Sequence, residues 1–278
     1  MLTVIGDLIA DVIVLGAADL VRGTDNPAAI THTRGGSAAN VAAAAAPHTR
    51  VRFIGRVGTD AEGQALVAEL EAAGVEVRVQ RGGRTGSIVI LVDEAGERTM
   101  LTDRGAAAEL DAIEPAWLDG TRWLHVPLYG FATAVSRAAV LKAVGPSPAF
   151  PVSLDLSSVS AMRELGVEGL RAVVDALSPA VVFANADEAE LLDSFELDLP
   201  GELRLVVKRG GEPVILRARG VEDEVEVEQV DGVVDSTGAG DAFAAGFLAA
   251  ALTGETPARC ARAGAALARG ALHRPGAL

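Results

Sequence analysis

Near its end the chain reads Val234-Asp235-Ser236-Thr237-Gly238-Ala239-Gly240-Asp241-Ala242-Phe243. Two glycines flank an alanine, so the backbone is free to turn tightly and to come close to a ligand. An apolar run follows from Ala242 to Leu252, with Phe243, Phe247 and Leu248 at helical spacing. A small-residue turn that opens a helix presents unpaired N–H groups at the positive end of the helix dipole, which is an anion site. Asp241 falls in the first turn, where the dipole should keep it ionised. There it is placed to take a proton from an alcohol attacking the bound anion. The same residues would also serve a helix that binds nothing, with Asp235 or Ser236 as its cap and Asp241 complementing the dipole.

Three further strings carry chemistry. Gly35-Gly36-Ser37-Ala38-Ala39-Asn40 joins glycines that admit a ligand to an amide that donates to and accepts from hydroxyls. Asn185-Ala186-Asp187-Glu188 follows the apolar run Ala180 to Phe183; it reads either as a polar strand end or as a capping box. Lys208-Arg209-Gly210-Gly211 follows another apolar run, and Lys208 is one of only two lysines, the other being Lys142. Asp155 closes Val152-Ser153-Leu154 as a further strand-end carboxylate.

In this order the strings resemble the signatures of the ribokinase-like (PfkB) sugar-kinase family. D-S-T-G-A-G-D is similar to its C-terminal motif, G-G-x-x-x-N to its N-terminal motif, and N-x-x-E to its third; Lys208 to Gly210 stands at its T-x-G segment, with lysine where threonine is common. The resemblance implies phosphoryl transfer from ATP to a hydroxyl of a small carbohydrate. It implies Asp241 as general base, the amides of Gly238, Ala239 and Gly240 as the charge-stabilising loop, and Asp11, Gly35, Gly36 and Asn40 as acceptor ligands. Asp7 competes with Asp11; Asp11 is favoured because it sits where the extended segment enters a second sheet. Asn185, Lys208, Gly210, Asp235 and Thr237 fall on the nucleotide side, with Glu188 toward Mg²⁺ through water, since Mg²⁺ keeps several waters. Family members usually continue past the last helix with a segment that helps enclose adenine and a monovalent cation. This chain stops at His273-Arg274-Pro275-Gly276-Ala277-Leu278, so ATP and Mg²⁺ are expected and K⁺ only conditionally.

The elements that must position these residues are those of an α/β protein. From Trp123 onward strands alternate with helices: strands at 123–126, 152–154, 181–183 and 203–207, and helices at 133–144, 167–177, 187–193, 239–252 and 257–269. Alternation of this kind predicts a mostly parallel sheet with helices on both faces. Before it come strands at 2–5, 10–15, 30–33, 51–54 and 75–79, helices at 35–46 and 61–73, and a hairpin at 87–102. The strands near 11–33 and 84–103 do not fit the alternation. They are expected to form a small β lid on a single ribokinase-like domain spanning 1–278.

Composition limits the partners. With 278 residues, half of them hydrophobic, the chain can bury a large core. A net charge of −14 argues against nucleic acid and anionic membranes. One cysteine and four scattered histidines provide neither a disulfide framework nor a metal cluster. No signal peptide or membrane-spanning stretch is apparent, so the expectation is a cytoplasmic protein. The exposed edges of a lid suggest a homodimer paired through it. A nucleoside kinase and a sugar-binding regulator without turnover are the alternatives. Neither lid segment contains Phe, Tyr or Trp for a base to stack on, although Tyr129 and Phe131 could reach the pocket from the core. Among basic residues that could meet a phosphorylated sugar are Arg34, Arg98 and Arg104.

Overall fold

The computed structural model describes residues 1–16, 20–93, 98–197, 204–230 and 236–273. Its central sheet has nine strands in the order β13-β12-β11-β10-β9-β8-β1-β4-β5. These are β1 (Leu2–Ile5), β4 (Val51–Val57), β5 (Glu76–Arg81), β8 (Trp123–Pro127), β9 (Val152–Asp155), β10 (Val181–Asn185), β11 (Arg204–Lys208), β12 (Val214–Ala218) and β13 (Val221–Val225). From β11 across to β5 every pairing is parallel; β12 and β13 add an antiparallel meander at one edge. A second sheet of four strands, ordered β3-β2-β6-β7, comprises β2 (Ile9–Leu15), β3 (Ala29–Gly35), β6 (Thr85–Val92) and β7 (Arg98–Gly105). The helices are α1 (Ser37–Ala45), α2 (Ala61–Ala72), α3 (Ala134–Val144), α4 (Val159–Leu177), α5 (Ala186–Ser194), α6 (Ala239–Leu252) and α7 (Pro257–Ala271).

Period-2 alternation along the buried strands feeds two cores, one on each face. On β10, Val181 and Phe183 join the core covered by α1, α2, α6 and α7, while Val182 and Ala184 join the core covered by α3, α4 and α5. Phe183 meets Phe247 edge-on at 5.2 Å, and Phe243 stacks beside Phe247 at 6.3 Å. Burying such a ring contributes about 1.5–3 kcal/mol. Phe183 lies two residues before Asn185, and Phe243 two residues after Asp241, so this packing fixes α6 against the end of β10.

The β12–β13 meander does not appear in the sequence reading. Its turn is Arg219-Gly220, with φ 53° and 72°, a two-residue primed turn lacking the usual Asn-Gly signal. β13 is VEDEV, mostly exposed, and its acidic run masks the strand pattern. Helix α4 starts at Val159 rather than 167, but Gly166 interrupts it at φ 73°, ψ 169°. The expected start therefore marks the second of two helical pieces. Leu203 and the turn 94–97 fall outside the described residues.

Candidate active site

The parallel strands end on a common edge: Asn185 lies opposite Lys208 in the register, and Phe183 opposite Asp155. Ligands of open α/β sheets bind outside such carboxyl ends. A cavity of about 660 Å³ opens there, roofed by the second sheet. Among sequence-identified residues, Asp11, Gly36, Asn40, Asn185, Glu188, Lys208, Gly210, Thr237, Gly238, Gly240 and Asp241 line it. Asp235 lies outside the described residues, and so do residues 274–278, on which the expectation about K⁺ rests.

Gly238 caps α6 in the left-handed region, φ 74° and ψ −2°, which a side chain would strain. The Ala239 N–H is turned onto the Ser236 carbonyl at 3.2 Å, and Ala239 does not line this cavity. Of the three amides expected to face an anion, this one is therefore committed elsewhere. A Cβ on Gly240 would come 3.3 Å from Lys208 Nζ, which places that ammonium beside the helix N-terminus.

Asp241 receives two hydrogen bonds from α1. Ser37 Oγ donates to Oδ1 at 2.6 Å, and Asn40 Nδ2 donates to Oδ2 at 3.0 Å. Ser37 was missed in the sequence reading, although it stands inside the G-G-x-x-x-N string. Burial pushes Asp241 up to about 6, against the downward pull of the Ser37 and Asn40 bonds. Desolvation outweighs these two bonds, and a carboxyl at about 6 is still mostly ionised at neutral pH.

Asn40 is oriented from its other end. Arg34 Nη1 donates to Asn40 Oδ1 at 2.8 Å, and Arg34 Nε pairs with Glu69 at 3.3 Å. Arg34 is 3% exposed and does not line the cavity, so it aims the amide and is no ligand for a sugar phosphate. Gly35 is not a lining residue either. The space its Cβ would need is filled by the Asp11 carboxylate, so the glycine is there to let Asp11 approach. Gly36, at φ 98°, has no room for a Cβ against the Asp7 carbonyl.

Asp7 and Asp11 are both buried, with different commitments. Asp7 is paired with Arg104, whose guanidinium lies 4.0 Å over the Tyr129 ring. Asp11 Oδ1 has no hydrogen-bond partner. A buried carboxylate oxygen without a donor is costly, and a ligand hydroxyl would satisfy it. Burial raises Asp11 to about 6; Arg34 opposes the shift and Asp241 adds to it.

On the other side of Asp241, Asn185 and Glu188 form the capping box and also line the cavity. Asn185 Oδ1 accepts from the Glu188 N–H at 2.8 Å, and Glu188 Oε2 accepts from the Asn185 N–H at 2.9 Å. Glu188 is 2% exposed, and burial, reinforced by Asp155, raises it to about 7. Lys208 donates to Asp155 at 2.8 Å. Burial alone would lower the lysine, but Asp155 and Glu188 more than offset this and keep it charged. Among the described residues no group of three or more His, Cys, Asp or Glu converges on a metal site. Glu188 would be the residue to hold a hydrated Mg²⁺ through water, since both oxygens of neighbouring Asp155 are committed, Oδ2 to Lys208 and Oδ1 to the Ser157 N–H at 2.8 Å.

A second cavity of about 320 Å³ adjoins the first through Lys208, Gly210 and Ser236. Val214, Val227, Ala265, Ala268 and Leu272 make it largely apolar. Its apolar walls come from β12, α7 and the segment after β13, which bear no motif, and the fold brings them against the motif residues Lys208, Gly210, Ser236 and Ala239.

The chain matches, over residues 1–278, the family model described as pfkB family carbohydrate kinase. It is 34% identical over 261 residues to an ATP-dependent ribose-1-phosphate kinase of Halopiger xanaduensis, covering 84% of this chain and 80% of that protein. It is 29% identical over 253 residues to an adenosine kinase of Saccharomyces cerevisiae, covering 80% of this chain and 72% of that protein. Its fold is similar to the crystal structure of adenosine kinase from Sinorhizobium meliloti, with a TM-score of 0.86 at 24% identity, covering 99% of this chain and 94% of that one.

Proposed function

Because this chain belongs to the pfkB family of carbohydrate kinases, and is therefore a phosphotransferase with a hydroxyl acceptor, we propose that it transfers the γ-phosphoryl group of ATP to a small carbohydrate of the ribose, fructose or sugar-acid class. The observation that carries this reading is the meeting of Asp241 with Ser37 and Asn40 at the N-terminus of α6, beside the unsatisfied carboxylate of Asp11.

Asp11, Gly36 and Asn40 bind and orient the acceptor. Asp241 accepts the proton of the attacking hydroxyl, a role suited to a carboxyl of pKa about 6. The Gly238 and Gly240 amides and the Lys208 ammonium hold the charge that develops on the transferring group. The apolar cavity between β12 and α7 takes the adenine. Mg²⁺, when bound, neutralises phosphate charge, with Glu188 holding it through water. The second sheet closes over the cavity and excludes water, which limits wasteful hydrolysis.

The test is ADP release from Mg-ATP across pentoses, hexoses, ketoses, sugar acids, sugar phosphates and nucleosides, with Asp241→Asn as control. A strong acceptor silenced by the substitution supports the reading; ATP binding without any turnover supports a sugar-binding regulator instead. A nucleoside kinase is the second reading, since Tyr129 lines the cavity. Arg104 already covers one face of that ring, however, and a base would have to displace it.

pH dependence follows from the carboxyls. A base works only when ionised, so kcat/KM should be level above about pH 7. Asp241 and Asp11 both sit at about 6, so it should fall by about tenfold or more per unit below that. A pH–rate profile level down to pH 5 would remove Asp241 as the base.

We also propose a homodimer formed through the second sheet. Leu15, Ile30 and Leu101 are 48%, 59% and 59% exposed there, and β3 and β7 are its edge strands. Light scattering should give twice the chain mass of 28.4 kDa. A monomer at working concentrations would refute the dimer.

A further inference from the structure

Arg34 stands at the end of β3, immediately before the Gly35-Gly36 turn, and does not line the cavity. Its Nη1 donates to Asn40 Oδ1 at 2.8 Å, and its Nε pairs with Glu69 Oε1 at 3.3 Å. A guanidinium only donates, so the amide must turn its oxygen toward Arg34 and its nitrogen the other way. On that side Asn40 Nδ2 donates to Asp241 Oδ2 at 3.0 Å, while Ser37 Oγ donates to Oδ1 at 2.6 Å. Turned over, the amide would set an oxygen against the carboxylate, and Asp241 and Arg34 would each lose a partner. One N–H of Asn40 is spent on Asp241, which leaves the second for the cavity that Asn40 lines. The Glu69 side chain is 57% exposed against 3% for Arg34, so this carboxylate anchors the guanidinium from the surface of α2.

From this chain of contacts we infer that Arg34 is a positioning residue for phosphoryl transfer: it fixes which end of the Asn40 amide faces Asp241, so that the base keeps a donor and the remaining N–H is aimed at the acceptor. Arg34 touches neither substrate nor the reacting atoms. The inference rests on the kinase reading above, with Asp241 as the base. The titratable groups that act on Asp241 are Arg34 on β3, Asp11 on β2, Asp155 on β9, Lys208 on β11 and Tyr129 after β8. Lys208 is paired with Asp155 and Arg34 with Glu69, so removing Arg34 withdraws chiefly its hold on Asn40. Asp241, which sits at about 6 with the Asn40 bond pulling it down, then moves up.

Arg34→Met tests this, and it strands no buried charge because Glu69 is exposed. kcat should fall about tenfold, with affinity for Mg-ATP within about twofold of the parent. The midpoint of Asp241, read by carbon-13 NMR of its carboxyl, should rise from about 6, and the acid limb of the kcat profile should move with it. In an Asn40→Ala background the same substitution should cost less than about twofold more in kcat, because Arg34 acts through Asn40. Arg34 also opposes the rise of Asp11, and Arg34→Lys separates the two effects. It restores the charge but not the fork that holds amide and Glu69 together, so the acceptor KM should recover more than kcat. In the unaltered protein the two Asn40 side-chain N–H signals should be distinct and slow to exchange, a reading that needs no variant to fold. An unmoved Asp241 midpoint, a kcat loss undiminished in the Asn40→Ala background, or averaged Asn40 signals would each overturn the inference. If the unaltered protein turns over no acceptor, the kinase reading fails, while the two NMR readings still decide whether Arg34 holds Asn40 on Asp241.

Discussion

Asp241→Asn should lower kcat about 10³-fold while leaving the affinity for ATP within about threefold. The fold should survive because the new amide satisfies the same neighbours. Its oxygen accepts from Asn40 Nδ2, and its N–H₂ group donates to Ser37 Oγ, a hydroxyl able to rotate from donor to acceptor. The charge it removes is one that burial disfavours. A carboxyl raised to about 6 in the fold has an ionisation that costs stability as pH rises from its ordinary value through 6. The variant escapes that cost, so its Tm at pH 8 should equal or exceed that of the parent. Steady-state kinetics and a thermal melt on one preparation check both parts. Activity within tenfold of the parent would sink the assignment of the base, and a large drop in Tm would make the loss structural.

The same site shows what a linear sequence carries and what it omits. Gly238 to Asp241 was legible because a small-residue turn, a helix start and a first-turn carboxylate lie next to one another in the chain. Asn185 and Glu188 were legible for a related reason, since a capping box is a local pattern, and here its carboxylate also lines the cavity. Asn40 was identified, but not why it holds still: Arg34 orients it through its carbonyl oxygen, and Glu69 anchors Arg34 from α2. Gly35 looked like a ligand-facing glycine, whereas what it admits is the Asp11 side chain. The contacts of Arg98 and Arg104 depend on where β7 lies over the sheet, which no spacing encodes. The parallel core strands were found because burial on both faces leaves continuous apolar runs. Strand β13, acidic and exposed at the sheet edge, had no such run to reveal it.

Lys208→Met tests the charge balance at the other end of the cavity. Lys208 and Asp155 have side chains 15% and 7% exposed, and Glu188 stands beside them. Removing the cation leaves two buried carboxylates facing each other. Breaking a buried pair from one side costs about 3–5 kcal/mol. The cost should depend on pH. Glu188 already sits at about 7 with Lys208 holding it down, and without the lysine it rises further. A carboxyl raised in the fold loses stability as pH climbs from its unfolded value to its folded one, so in the variant that loss extends above pH 7. The Tm difference from the parent should therefore be larger at pH 8 than at pH 6. Turnover should fall about 100-fold at either pH, because a cation beside the α6 N-terminus is gone. Adding Asp155→Asn removes the stranded charge, so the double variant should regain most of the stability and none of the activity. If the double variant regained activity as well, Lys208 would only be balancing Asp155, and the phosphoryl group would be held by the α6 amides alone.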